Sequence, residues 1–219
     1  MPRYSITMCN YNMDETLEAS LKSILTQVTD DFEVVVIDDG STDDSIEIIR
    51  QLETEYPQLR YLTLDRDPKR ELGATRQIAV EEAQGEYILA NLDTDDVYRD
   101  GIMDFVHLYH RLEDEISSPF FLKGYGLNMS PKKLLLEIPY RNVKRIDDKD
   151  LWRRLFTNDG IVWFEHDPFW TEIGYHTTTT GSIKNGFKRA IANFQSGITF
   201  WSYINFHLKE LLFAEYGNR

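Results

Sequence analysis

Asp93 and Asp95 stand one residue apart, with Asp96 adjacent, directly after the apolar run Tyr87-Ile88-Leu89-Ala90. Carboxylates this close repel one another unless a cation lies among them or one of them takes up a proton. Hard oxygen ligands at a strand end suit Mg2+ or Mn2+, which also bind phosphate oxygens. A solvated acidic turn, with Asp96 capping a following helix, fits the same residues. A second pair, Asp38-Asp39, ends the run Val34-Val35-Val36-Ile37. Charges at the end of a buried strand are costly unless they meet a ligand. Asx-turn and cap chemistry ahead of a helix at Asp43 competes with that reading, and Ser41 and Thr42 are assigned to it. Arg76, near the start of another helical stretch, is a pairing partner for these carboxylates.

The elements that must position these groups alternate in period. Tyr4–Cys9 is a short apolar strand ending at Asn10, followed by a helix with Leu17, Leu21, Ile24, Leu25 and Val28 on one face and Asp14 as N-cap. Val34–Ile37 is the signature of a strand buried on both faces. A helix with Ile46, Ile49 and Leu52 follows, closed by Pro57. Arg60–Leu64, Ala74–Ala83 and Tyr87–Ala90 read as strand, helix and strand. Such alternation implies right-handed βαβ units on a mainly parallel sheet, an α/β fold that binds ligands beyond the carboxyl ends of its strands. Two of the four strands end there in carboxylates. Farther on, Gly101–Glu115 and Leu151–Phe156 read as helices, with strands in Phe120–Asn128 and Ile161–Glu165.

The chain has 219 residues, 37 acidic and 24 basic, with a formal net charge of −13. A surface this acidic repels phosphate backbones, so nucleic acid is not the expected partner. An anionic ligand needs a locally compensated site. The single cysteine, Cys9, excludes a disulfide framework and a cysteine-based zinc site. No apolar run of membrane-spanning length and no basic-then-apolar leader pattern occurs, so a soluble, cytosolic protein is expected.

Taken in order, YSITMCNYNMDETLEASLKSILTQ, DFEVVVIDDGSTDDS and GATRQIAVEEAQGEYILANLDTDD resemble the family 2 (inverting) glycosyltransferases of GT-A fold. The resemblance implies a three-layer α/β/α domain over residues 1–180, with a nucleotide-sugar-binding half (1–100) and an acceptor-side half (101–180). It implies a donor-binding set of Tyr11 (stacking on the base), Asp39 (hydrogen-bonding the base), Arg76 and Asp93. Asp95 is the metal-ligand candidate for Mn2+ or Mg2+. Ile146-Asp147-Asp148-Lys149-Asp150-Leu151-Trp152 resembles the segment that carries the family's catalytic base, with Asp147 where Glu is usual. Asp148 is the implied base, while Asp147 and Asp150 fit helix capping. Tyr175-His176-Thr177-Thr178-Thr179-Thr180 resembles a closing segment whose His can ligate metal, making His176 a second metal candidate.

The implied activity is metal-dependent, inverting transfer of a sugar from a nucleotide-diphosphate donor, usually UDP-linked. The acceptor would be a glycan, polysaccharide or lipid-linked hydroxyl. A non-catalytic nucleotide-sugar-binding or scaffolding subunit of the same fold is the alternative. Trp152, Trp163 and Trp170 are expected in the core before they are expected as sugar platforms. Residues 181–219 form a helical extension whose aromatic-rich stretch 186–216 fits a core-covering helix, a homodimer contact or a peripheral contact at the inner face of a membrane.

Overall fold

The structure is a computed structural model that describes residues 1–143 and 146–173. His176, the 181–219 extension and the domain boundary at 180 lie outside the described residues. The first half follows the alternation: β1 (Tyr4–Asn10), α1 (Asp14–Leu25), β2 (Phe32–Asp38), α2 (Ser45–Glu55), β3 (Leu59–Thr63), α3 (Leu72–Glu82) and β4 (Tyr87–Asp93). Then come β5 (Asp96–Tyr98), α4 (Ile102–Glu115), β6 (Phe121–Lys123), β7 (Asn128–Pro131) and α5 (Lys132–Glu137). The described part ends with α6 (Asp147–Thr157), β8 (Ile161–Trp163) and β9 (Trp170–Glu172).

Seven strands form one sheet in the order β3-β2-β1-β4-β7-β6-β8, and only β7 runs against the others. The period of two in β2 explains the layers. Val34 and Val36 pack with α1, α2 and α4 through Leu17, Leu21, Ile49 and Phe105. Val35 and Ile37 face the other way, onto Ala79 of α3. On that second face Ile88 and Ala90 meet Leu135 of α5 and Leu151 and Leu155 of α6. Both faces are thus covered, as a parallel sheet requires.

Three local expectations change. Asp14 lies inside the first turn of α1 rather than capping it; its backbone N–H donates to Asp43 Oδ2 at 3.1 Å, so the cap comes from a neighbouring loop. Asp96 opens β5, which pairs antiparallel with β9, instead of capping a helix. Trp163 is not a core residue: it is 61% exposed on the edge strand β8, because nothing pairs with that edge among the described strands. No helix among the described residues is long and apolar enough to cross a membrane.

Candidate active site

Every strand of the sheet except β7 points its C-terminal end to one edge, so Asn10, Asp38, Asp93, Lys123 and Trp163 end neighbouring strands along it. A one-residue shift in the β1–β4 register, with Ile6 opposite Leu89 but Met8 opposite Leu92, marks a bulge at Ala90-Asn91, where Asn91 has φ of 64°. A bulge reverses the side-chain alternation beyond it. Leu89 and Leu92 therefore share the α1 face, and Asp93 turns toward α3 and α6. The turn that follows is pinned. Asp93 N–H donates to the Tyr98 hydroxyl at 2.6 Å, the Thr16 hydroxyl donates to Thr94 O at 2.9 Å, and Ile173 N–H donates to Asp95 O at 2.9 Å.

Carboxylate oxygens of Asp93, Asp95 and Asp96 come within 4.8 Å of one another. Burial raises all three pKa values. For Asp93, repulsion from Asp95 and Asp148 adds to burial while Arg76 opposes it; for Asp95, Glu172 adds. Asp96, crowded by Asp95 and Asp93 as well as buried, is pushed up to about 7. Three ionisable oxygens at this spacing, reluctant to be charged together, form a donor set that fits a hard divalent cation.

Beneath Asp93 lies Arg76, which bridges two carboxylates: Nη2 is 2.9 Å from Asp93 Oδ1 and Nε is 3.1 Å from Asp147 Oδ2. Its side chain is 12% exposed. Burial works against the guanidinium charge, but Asp93 and Asp147 outweigh it and raise its pKa. The guanidinium and Asp147 are largely buried while Asp93 is half-exposed, so Arg76 reaches up from the interior to the Asp-x-Asp turn. Asp147 is buried and ion-paired, not a solvent-facing cap; burial foremost, then Asp148, raises its pKa against the pull of Arg76. Asp148 sits beside it in the first turn of α6, half-buried, close enough for its charge to act on Asp93. Gly73 makes that approach feasible, since a side chain there would run into the Arg141 carbonyl and Asp147 Cβ.

On the far side of β1, Asp38 is fully buried and structural. It accepts Gly40 and Ser41 N–H, the Ser41 hydroxyl and Asn10 Nδ2. Ser41 Oγ in turn accepts Asn12 N–H at 2.9 Å, and Asn12 Oδ1 accepts Thr42 N–H at 2.8 Å. The Tyr11 and Asp39 loops are thereby laced together. Tyr11 is 42% exposed. Asp39 is held by two arginines that single-residue reading passed over: Arg70 at Oδ1 (Nε 2.6 Å) and Arg66 at Oδ2 (Nη1 2.7 Å). Cys9, near the end of β1, lies within the fields of Arg76, Asp93, Asp147 and Asp39; desolvation foremost pushes its thiol up to about 12. Beyond Asp148, Trp152 sits one turn along α6, and the Lys123 ammonium lies 4.8 and 3.9 Å from the ring centres of Trp152 and Trp163.

Buried polar atoms without a protein partner gather along this same edge: Asn10 Oδ1, Arg76 Nη1, Asn91 Nδ2, Asn128 Oδ1 and Trp152 Nε1. Buried polar groups are ordinarily satisfied, so these atoms call for polar partners from outside the protein, water or a ligand. Tyr11, Asp39, Arg76, Asp93, Asp95 and Asp148 are all brought to one edge. The sequence signal for Asp96 was its adjacency to Asp95; Arg66 and Arg70 carried none.

Carboxylates at the C-terminal edge of a mainly parallel sheet, beside an exposed tyrosine, lie where α/β sheets bind their ligands. The chain belongs to glycosyl transferase family 2, whose model matches residues 5–171. A cholesterol galactosyltransferase of Borreliella burgdorferi is 30% identical over 159 residues, covering 71% of this chain and 42% of that protein. The chain spans at most about two-fifths of the length of such curated relatives, from 42% down to 13%. Among solved structures, the Pyrobaculum calidifontis mannosyltransferase in complex with GDP-Man and Mn2+ has a TM-score of 0.69 at 18% identity, covering 89% of this chain and 63% of that one. Glucosyl-3-phosphoglycerate synthase of Mycobacterium tuberculosis, with Mn2+, UDP-glucose and phosphoglyceric acid, has 0.68 at 14%, covering 90% and 81%. The fold is GT-A.

Proposed function

We propose that this chain transfers a sugar from a nucleotide-diphosphate donor to a hydroxyl group of a glycan, polysaccharide or lipid-linked acceptor, with inversion at the anomeric carbon and with a divalent metal. The observation that carries the reading is the convergence of Asp39, Asp93, Asp95 and Asp148 on one edge of the sheet. In this reading residues 1–100 hold the donor and residues 101–180 face the acceptor.

Tyr11 stacks on the base, and Asp39, oriented by Arg70, accepts its N–H. Asp93, fixed by Arg76, faces the sugar and diphosphate. A diphosphate entering a turn with three carboxylates meets repulsion that the single paired Arg76 does not relieve, which is why a cation is needed. Asp95, with Asp93 and Asp96, would hold Mn2+ or Mg2+, and when bound that ion neutralises charge on the departing diphosphate. Asp148 takes the proton of the acceptor hydroxyl as its oxygen attacks opposite the diphosphate. UDP is the favoured nucleotide. Solved neighbours bound to UDP-glucose and to GDP-Man make GDP the first alternative.

Calorimetry with UDP, with and without Mn2+, tests the donor half. Wild type is expected to gain affinity on adding Mn2+, and Asp95→Ala is expected to lose that gain. Equal affinity in both proteins, with and without metal, would refute the reading. UDP release from a UDP-sugar that drops about 10²–10⁴-fold in Asp148→Asn, with UDP affinity intact, separates catalysis from mere binding.

A further inference from the structure

The base subsite already has an occupant. Arg66 places its guanidinium carbon 4.6 Å from the centre of the Tyr11 ring. The same guanidinium donates from Nη1 to Asp39 Oδ2 at 2.7 Å. One flat, N–H-bearing group thus covers the tyrosine face and satisfies the carboxylate together, as a base with a ring N–H would. We propose that Arg66 is a built-in competitor for the donor's base: it fills the base's place on Tyr11 and Asp39 in the free chain, and the nucleotide binds by displacing it. This rests on the assignment of Tyr11 and Asp39 to the base.

Three features make Arg66 removable where Arg70 is not. The Arg66 side chain is 42% exposed, against 16% for Arg70. Arg70 grips the opposite oxygen, Asp39 Oδ1, through both Nε and Nη2, so the carboxylate stays neutralised and oriented when Arg66 leaves. The Arg66 backbone is docked independently of its side chain. It lies against Gly40, where φ is +79° and an added Cβ would come within 2.8 Å of Arg66 N. Displacement is therefore a side-chain swing that leaves the turn in place. Arg66 Nη1 also donates to Asp67 O at 3.1 Å, a local contact that steadies the closed pose.

An exposed ion pair combined with a cation–π contact is a weak lock, worth about a three- to tenfold factor in affinity once converted. The strength suits a competitor that a tight ligand can overcome. It also keeps Asp39 Oδ2 and a bare tyrosine face from standing open to other planar cations.

The test is UDP binding with Mn2+ to wild type, Arg66→Ala and Arg66→Lys, by calorimetry and stopped-flow. Arg66→Ala is expected to bind UDP about three- to tenfold more tightly, with the gain in the association rate. Arg66→Lys, which keeps charge but loses the flat stacking group, should fall between. In a crystal of the wild-type UDP complex, Arg66 should be off the Tyr11 ring. Unchanged or weaker UDP binding by Arg66→Ala, with its melting temperature unaltered, overturns the proposal and leaves the donor reading intact. So does a complex in which Arg66 still covers Tyr11 or lies on the other face of the base. Absence of UDP and GDP binding to every variant, wild type included, refutes the donor reading and this proposal with it.

Discussion

Asp93, Asp95 and Asp96 share the turn after β4, and burial raises the pKa of each. Repulsion adds from Asp95 and Asp148 at Asp93, from Glu172 at Asp95, and from Asp95 and Asp93 at Asp96, which is pushed up to about 7. A carboxyl whose folded-state pKa lies above its unfolded value weakens the fold once it ionises. That penalty is absent below about pH 4, grows as pH rises toward 7, and is complete above. Asp96→Asn is therefore expected to raise the melting temperature of the metal-free chain at pH 8, on the scale of about 2–4 °C per kcal/mol for a chain of this size. The gain should fade as pH falls to 4. Thermal melts of both proteins across that range check it; a gain that is the same at every pH would show that charge is not the cause. Arg76 presents the opposite case, a buried cation between Asp93 and Asp147. Removing it would leave the buried Asp147 carboxylate unpaired below a half-exposed Asp93, so it acts by positioning as much as by charge.

At the scale of elements, the site depends on the seam between α3 and the segment leading into α6. Gly73 N–H reaches toward Val143 O, and its missing side chain lets the Arg141 carbonyl and Asp147 approach α3. A methyl group there must push that segment, and with it Asp147 and Asp148, away from Arg76 and Asp93. Tyr11 and Asp39 are anchored on the other side of β1 and would not move. Gly73→Ala is thus expected to lower kcat by tenfold or more while leaving the affinity for UDP within about twofold. Steady-state kinetics beside UDP calorimetry read the two effects apart. The lacing of the Asn10–Asn12 loop to Ser41 and Thr42 holds the Tyr11 and Asp39 backbone independently of α6, so the base side should change little even though Asn142 joins the moved segment to Lys69 and Glu71.

For the whole molecule, a net charge of −13 and a mouth rich in carboxylates make an anionic donor unwelcome without a cation. UDP and Mn2+ together at a hundred times the dissociation constant would add about 2.7 kcal/mol of stability by mass action. That corresponds to a melting-temperature rise of about 5–10 °C. UDP alone is expected to give a much smaller rise, and a four-way thermal-shift comparison (neither, each, both) reads the difference. The same placement of charge argues that the metal and the nucleotide bind cooperatively, since the cation relieves the repulsion the diphosphate would meet and the diphosphate adds oxygen ligands to the cation.

Much of this was legible from residue order. The buried runs Val34–Ile37 and Tyr87–Ala90 fixed two central strands, because a continuous apolar run has few other places to go in an α/β chain. The Asp-x-Asp turn and Asp39 followed from their position at strand ends. Periodicity did not show the bulge at Ala90-Asn91, which aims Asp93 toward α3, since one extra residue leaves the apolar run intact. The short β5 and β9 were missed because Asp96-Val97-Tyr98 and Trp170-Thr171-Glu172 carry charged or polar residues in place of the apolar run that marked the equally short β6 and β8. Arg66 and Arg70 looked like any surface cations in Asp65-Arg66-Asp67-Pro68-Lys69-Arg70; only the turn packed on Gly40 brings them to Asp39. The sequence by itself determined which residue types and which strand ends could do chemistry, because side-chain chemistry and strand patterning are local. The tertiary structure alone decided which carboxylates share an arginine and which aromatic face is covered, because those pairings join residues 17 to 71 positions apart in different elements.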